Sequence, residues 1–303
     1  MDRGAHKVGG GSDAVNAWGE PREPNPVAWI IAVRAAQVGG AAGVVLAAFA
    51  TAYPPSVIVP LAVAGGIAVA GGLSAYYART FNPRATFAGI PLVVRLPESA
   101  GNSVALTFDD GPHPGTTPRL LDTLLANNAR ATFFVVGERA SQYPELVRRI
   151  AREGHTVGVH GLRHRTMVLQ SAGEIARDLG EAVKRIEDAA GGSLPRPLLL
   201  RPPYGFKTGT LARTARRLGF VIVAWSLDPR DYDPTDGEVL AAKIEARLIP
   251  GDIVLLHERP ESPAAADALQ HILEECREKK LYPVGLIAVA DLLHHPPAQA
   301  TEG

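Results

Sequence analysis

Leu106-Thr-Phe-Asp-Asp-Gly-Pro-His113 places two adjacent carboxylates at the end of an apolar run and follows them at once with a Gly-Pro turn. The run from Ser103 to Phe108 reads as a buried strand that Gly111-Pro112 stops. Asp109 and Asp110 therefore stand on a rim, where a scaffold presents its working groups. Successive side chains on a strand end point in different directions, so one acid can meet a metal while the other handles protons. The competing reading is an Asx-type turn, in which the Asp side chains cap local backbone amides.

Outward from this stretch, short β-rich runs alternate with helical patterns between Ser103 and Leu293. The runs are Val104 to Phe108, Thr132 to Val136, Thr156 to Val159, Leu198 to Leu200, Phe220 to Trp225, Ile253 to Leu256 and Val284 to Val289. Between them lie the helical candidates Pro118 to Ala126, Pro144 to Arg152, Ala172 to Ala190, Thr210 to Leu218, Gly237 to Leu248 and Ala264 to Lys279. Such alternation argues for a mostly parallel α/β sheet or barrel. In barrels of this type the working residues gather at the strand C-termini.

The chain has 303 residues, with 31 Lys plus Arg against 31 Asp plus Glu, so it carries no basic field and nucleic acid is excluded as an expected partner. Its single cysteine, Cys276, can form no intrachain disulfide and lies outside every polar cluster. Residues 1–26 are Gly-rich and polar, and read as a flexible tail. Two apolar stretches follow, Val27 to Tyr53 and Val57 to Tyr77, joined by Pro54-Pro55-Ser56. Each is long enough to cross a bilayer, which predicts a two-helix membrane hairpin over 27–78 and a multi-pass protein of the cell membrane. A cleaved signal peptide ending near Ala48-Phe49-Ala50 and a buried soluble hairpin are the alternatives. Arg and Lys on both flanks and none in the turn would place both flanks in the cytoplasm. The remaining division is a linker over 79–102, a catalytic domain over 103–293 and a C-terminal tail over 294–303.

Further polar clusters follow the predicted strands. His160-Gly-Leu-Arg-His164 spaces two imidazoles four apart, which on a helical turn shares one face and one metal ion, though coincidence is the commoner reason for such spacing. Gly161 stands where the zinc-protease helix carries its Glu, so a base must come from elsewhere, and the Asp pair offers one. Arg201-Pro-Pro-Tyr-Gly205 fixes the backbone after a strand, so that Arg201 either clamps a carboxylate or is solvated on a stiff loop. Trp225-Ser-Leu-Asp228-Pro-Arg-Asp231-Tyr232 and Leu255-Leu-His257 close two more strands, where a lone histidine is usually a satisfied one.

In this order the segments resemble the polysaccharide deacetylase family with the NodB homology domain, carbohydrate esterase family 4. Thr107-Phe-Asp-Asp-Gly-Pro112, His160-x-x-x-His164, Arg201-Pro-Pro-Tyr204, Asp228-x-x-Asp231-Tyr232 and Leu255-x-His257 are similar to its five motifs. The resemblance implies an α/β fold, a distorted (β/α)7-type barrel (the NodB homology fold), here preceded by the transmembrane hairpin. It also implies one divalent metal ion, zinc first with cobalt, iron or manganese as alternatives, on Asp110, His160 and His164. Asp109 would be the general base, with Arg201 holding it, and His257 the general acid, with Asp228 orienting and charge-tuning it. The Tyr204 amide would bind the oxyanion, Leu255 would line the acyl pocket, and Tyr232 would form one of its walls. Three protein ligands leave a position for water, whose pKa zinc lowers to roughly 7.

The chain departs from the family pattern at Gly161, where a Ser or Thr is usual, at Val159, where Asn is common, and at Tyr232, which replaces Trp. None of these removes a ligand, base or acid. The implied function is removal of N-acetyl or O-acetyl groups from an amino-sugar polysaccharide or glycan. A deacetylase or deformylase of a lipid-linked sugar at the membrane and a non-catalytic glycan-binding module are the rival readings.

Overall fold

Alternation along each strand decides what faces the barrel and what faces the helices. The computed structural model describes residues 92–233, 235–259 and 263–289. The strands are β1 (Leu92–Val93), β2 (Ser103–Asp109), β3 (Thr132–Val135), β4 (Thr156–Val159), β5 (Leu198–Leu200), β6 (Phe220–Val223), β7 (Ile253–His257) and β8 (Tyr282–Pro283). The helices between them are α1 (Thr117–Ala126), α2 (Gly137–Gln142), α3 (Pro144–Arg152), α4 (Ala172–Ala190), α5 (Gly209–Arg217), α6 (Gly237–Glu245) and α7 (Ala264–Glu278). The sheet order is β1-β6-β5-β4-β3-β2-β7, with β8 beside β2, and all pairings are parallel. The β6–β7 seam is reduced to a single parallel bridge, Leu227 to Val254, with an antiparallel bridge between Arg95 and Asp252 below it, which makes the barrel a distorted one.

Val104, Leu106 and Phe108 of β2, Phe133 and Val135 of β3, and Val254 and Leu256 of β7 join the core under the helices. The residues between them turn the other way, and Ala105, Phe134, Leu199, Val221, Val223 and Ile253 form a second, smaller cluster inside the barrel. By the same alternation Thr107, Asp109, Leu255 and His257 face the interior. Asp109 and His257 are register partners on adjacent strands. Gly158 serves this interior too, since a Cβ there would stand 2.6 Å from the Phe134 ring.

Local signals set the longest helix. Ser171 caps α4 in a reciprocal box with Glu174, the Glu174 amide donating to Ser171 Oγ at 3.3 Å and the Ser171 amide to Glu174 Oε2 at 2.8 Å. Gly191 ends it in the left-handed conformation, with φ 78°.

Several expectations are corrected. The Val284 to Val289 run is not a strand: Leu286–Val289 forms a 3-10 turn, its Leu286 and Ile287 amides donating to the hydroxyls of Thr132 (2.9 Å) and Thr156 (3.1 Å) instead of to a ladder. Residues 92–93, expected in the linker, form an edge strand. The fold carries no membrane hairpin among the described residues, none of whose helices is long and apolar enough to cross a membrane. Even α4, the longest at 19 residues, is amphipathic and studded with charges such as Glu174, Arg177 and Asp178. The hairpin expected at 27–78 lies outside the described residues. The multi-pass localisation and the membrane as partner, which rested on that segment, are withdrawn with it.

Candidate active site

Strand ends bring the predicted residues to one place. Asp109 is the last residue of β2, and Asp110 turns away from it with φ 72°, a left-handed conformation that a non-glycine residue holds only under constraint. The constraints are visible: Arg139 of α2 donates to the Asp110 carbonyl, and the Val136 amide donates to the Gly111 carbonyl at 2.9 Å. The two acids thus diverge. Asp109 points into the barrel, while Asp110 Oδ1 approaches His160 Nε2 at 3.3 Å and His164 Nε2 at 3.2 Å.

Asp110, His160 and His164 offer ligand atoms that all lie within 4.8 Å of one another, the arrangement one metal ion requires. Asp110 Oδ1 is buried and has no hydrogen-bond partner among the described residues, which fits a ligand atom reserved for an ion. His160 Nδ1 lies 2.7 Å from the Arg201 carbonyl, so it donates there and presents Nε2 as a lone pair. Burial opposes the charge of Asp110, but His164 and His160 beside it hold the carboxyl well below the usual carboxylate range. Burial pushes His164 down to about 4, so at neutral pH it too offers a lone pair. The residues therefore fit a divalent cation.

The pair does not sit on a helical turn, as the spacing suggested, but on a loop after β4. Gly161 turns it with φ 81°, the amides of Gly137 and Glu138 donate to the Gly161 and Leu162 carbonyls at 3.0 and 2.9 Å, and the Leu162 amide donates to Asp178 Oδ1 at 3.0 Å. Main-chain anchoring replaces the hydroxyl that Gly161 lacks.

Arg201 is completely buried and plugs the barrel. Its guanidinium donates to Asp109 Oδ1 and Thr107 Oγ1, both at 2.7 Å, and to the Ala224 carbonyl at 2.9 Å, and it stacks 4.2 Å over the Phe134 ring. A planar fork with several fixed acceptors holds the Asp109 carboxylate in one orientation.

The carboxylate on His257 is that of Asp231, not of Asp228 as expected. Asp231 Oδ1 accepts from His257 Nδ1–H at 2.7 Å and Oδ2 accepts from the His257 backbone amide at 2.7 Å. Asp228 instead accepts from the Arg230 amide at 2.9 Å and the Tyr232 hydroxyl at 3.2 Å. Burial works against a charged His257, yet Asp231 overrides it and the imidazole is raised to about 9. Asp231 sits in the same motif, three residues after Asp228, and spacing alone does not choose between them; burial does, since Asp231 is 3 % exposed.

Asp109, Asp110, His160, His164, Asp228 and His257 line one cavity of about 420 Å³ with Tyr204, Tyr232 and Leu255, so all ten expected site residues except the buried Arg201 face it. Trp225 and Phe206 also line it and were not expected there from sequence, as does Arg259, which falls in the 258–262 segment expected to shape the sugar groove. Tyr204 packs 4.5 Å from the His164 ring and has φ 61°, and Gly205 beside it has room for no side chain, the Trp225 ring standing 2.5 Å from where a Cβ would be.

A family model described as polysaccharide deacetylase matches residues 97–223. A chitooligosaccharide deacetylase of Bradyrhizobium sp. (strain ANU 289) is 39% identical over 160 residues, which cover 53% of this chain and 72% of that one. A peptidoglycan-N-acetylglucosamine deacetylase of Listeria monocytogenes is 36% identical over 181 residues, 58% of this chain and 38% of the relative. The crystal structure of a peptidoglycan N-acetylglucosamine deacetylase in complex with a substituted benzamide superposes with a TM-score of 0.62 at 31% identity, covering 66% of this chain and 92% of that one.

Proposed function

Because the chain belongs to the polysaccharide deacetylase family, we propose that it hydrolyses the N-acetyl groups of an amino-sugar glycan, with a divalent metal ion held by Asp110, His160 and His164. The observation that carries this reading is the buried, partnerless Oδ1 of Asp110 facing two imidazole nitrogens, with an Arg-held carboxylate on one side and a carboxylate-held imidazole on the other. When bound, the ion supplies a Lewis acid that acidifies water and polarises a carbonyl. Two imidazoles and a carboxylate suit zinc, and accept cobalt, iron or manganese.

The chain's own residues divide the remaining work. Asp109, held in place by Arg201, takes a proton from the attacking water. The Tyr204 amide, in the left-handed turn after Arg201-Pro-Pro, donates to the oxyanion in this reading. His257 gives its Nε2 proton to the departing amine, Asp231 holding the ring by Nδ1 and stabilising its charge. Leu255 and Tyr232 wall the space for the acyl methyl group, and the exposed rings of Tyr204 and Tyr232 offer flat faces to the sugar. The substrate class follows the two relatives, whose names specify chitooligosaccharide and peptidoglycan N-acetylglucosamine.

Acetate release from N-acetylglucosamine oligomers, followed against pH, tests this reading. His257 has a raised pKa, so its imidazolium persists through neutral pH and is lost as pH rises through the folded value, printing a falling limb. That limb lies at or below about 9, because a bound dication adds positive charge beside the ring. Asp231→Asn removes the charge that raises the imidazole and leaves the burial that lowers it, so the limb moves down by at least about one unit. An unmoved limb in this variant would show that His257 is not the acid, and absence of acetate from every oligomer tried would remove the deacetylase reading.

A further inference from the structure

We propose that Glu258 is a positioning residue that holds the Gly111–His113 loop, and through it Asp110, in ligating place. The proposal rests on the metal reading of Asp110, His160 and His164. Glu258 follows His257 at the end of β7, and alternation turns it away from the barrel interior, behind the Asp109–Asp110 corner. Its side chain is fully buried and does not line the cavity, so it acts on the site only through what it touches.

Three segments meet on it. Its backbone amide donates to the Asp109 carbonyl at 2.9 Å, extending the β2–β7 ladder by one bond. Its Oε2 accepts from the hydroxyl of Thr117 at the first turn of α1, and the same hydroxyl accepts from the His113 amide at 2.7 Å. Its Oε1 is buried, has no hydrogen-bond partner among the described residues, and occupies the space that a Cβ on Gly111 would fill. Gly111 is not in the left-handed region, so a side chain there would meet no backbone penalty but would displace this carboxyl. The loop is thus wedged between Glu258 on one side and Arg139, on the Asp110 carbonyl, on the other. Removing the wedge frees the segment that fixes the left-handed turn of Asp110.

Competition with a chromophoric chelator gives the zinc affinity of the stripped chain, read beside thermal unfolding and the kcat and KM for acetate release. Glu258→Ala should weaken zinc binding by about tenfold or more and lower kcat with KM unchanged, whereas Glu258→Gln, which keeps the volume and an acceptor for Thr117, should stay within about threefold. Gly111→Ala should weaken zinc binding by a similar factor, and combining it with Glu258→Ala should cost less than the two losses together, because both variants disturb the same contact.

A Glu258→Ala chain with parental zinc affinity and kcat, or with only a lowered melting temperature, would overturn the proposal, as would Glu258→Gln losing as much affinity as Glu258→Ala. If Glu258→Ala fails to fold, Gly111→Ala decides, and unchanged affinity there overturns the wedge. Asp110→Ala is the control: its retaining the site would mean the metal reading has failed and not this one.

Discussion

Asp110→Ala retains no stoichiometric zinc and releases acetate at least about a thousandfold more slowly than the parent chain, a loss of several kcal/mol of transition-state stabilisation. The size follows from where Asp110 sits. It contributes the only carboxylate oxygen of the ligand trio, and that oxygen is buried with no other partner to replace it. Without it, two imidazoles of one loop remain, a site short of a ligand and of its negative charge. His164→Ala should lose metal likewise, because His164 Nε2 stands 3.2 Å from Asp110 Oδ1 and supplies one of the three ligand atoms. Metal content by mass spectrometry and initial rates of acetate release check both. Parental metal content and turnover in either variant would mean the ion, if there is one, lies elsewhere.

Arg201→Met destabilises the fold by roughly 3–5 kcal/mol and removes most activity, because it leaves Asp109 as an uncompensated charge in the barrel. Burial pulls the pKa of Arg201 down from its ordinary value, and the Asp109 carboxylate beside it opposes this. Thr107 Oγ1 and the Val223 and Ala224 carbonyls lose their donors as well. Equilibrium denaturation in urea measures the cost, and adding Asp109→Asn recovers part of the stability without restoring turnover, since the lone charge is removed along with the base. A single variant as stable as the parent would contradict the assignment of Arg201 as the interior clamp.

The long elements were legible because their signals are strong. Ala172 to Ala190 carries a capping box and an amphipathic period, and the apolar runs that became β2 to β7 are rich in buried β-branched, leucine and aromatic residues. Shorter elements carry too little period to read: α2 has 6 residues, and it fits only because Gly137 lets Ala182 approach to 3.0 Å from where a Cβ would lie. Val284 to Val289 has a strand composition, but threonine hydroxyls took its amides. At the site, residue types and order pointed to the ligand trio and to Asp109, since each follows a strand. Which acid of Asp228 and Asp231 serves His257 depends on a turn with Arg230 at φ 61°, and sequence spacing does not encode that geometry. The membrane expectation rested on the length and low charge of the apolar stretches before residue 79 and on the Arg and Lys flanking them, and those stretches lie outside the described residues.

Acetate release by the chelator-stripped chain, measured before and after one equivalent of zinc is restored, tests the central claim most directly. The stripped chain is expected to be inactive on N-acetylglucosamine oligomers, with turnover returning in proportion to zinc and reaching its plateau at one ion per chain. Full turnover by the stripped chain, or zinc uptake that restores none, would contradict it.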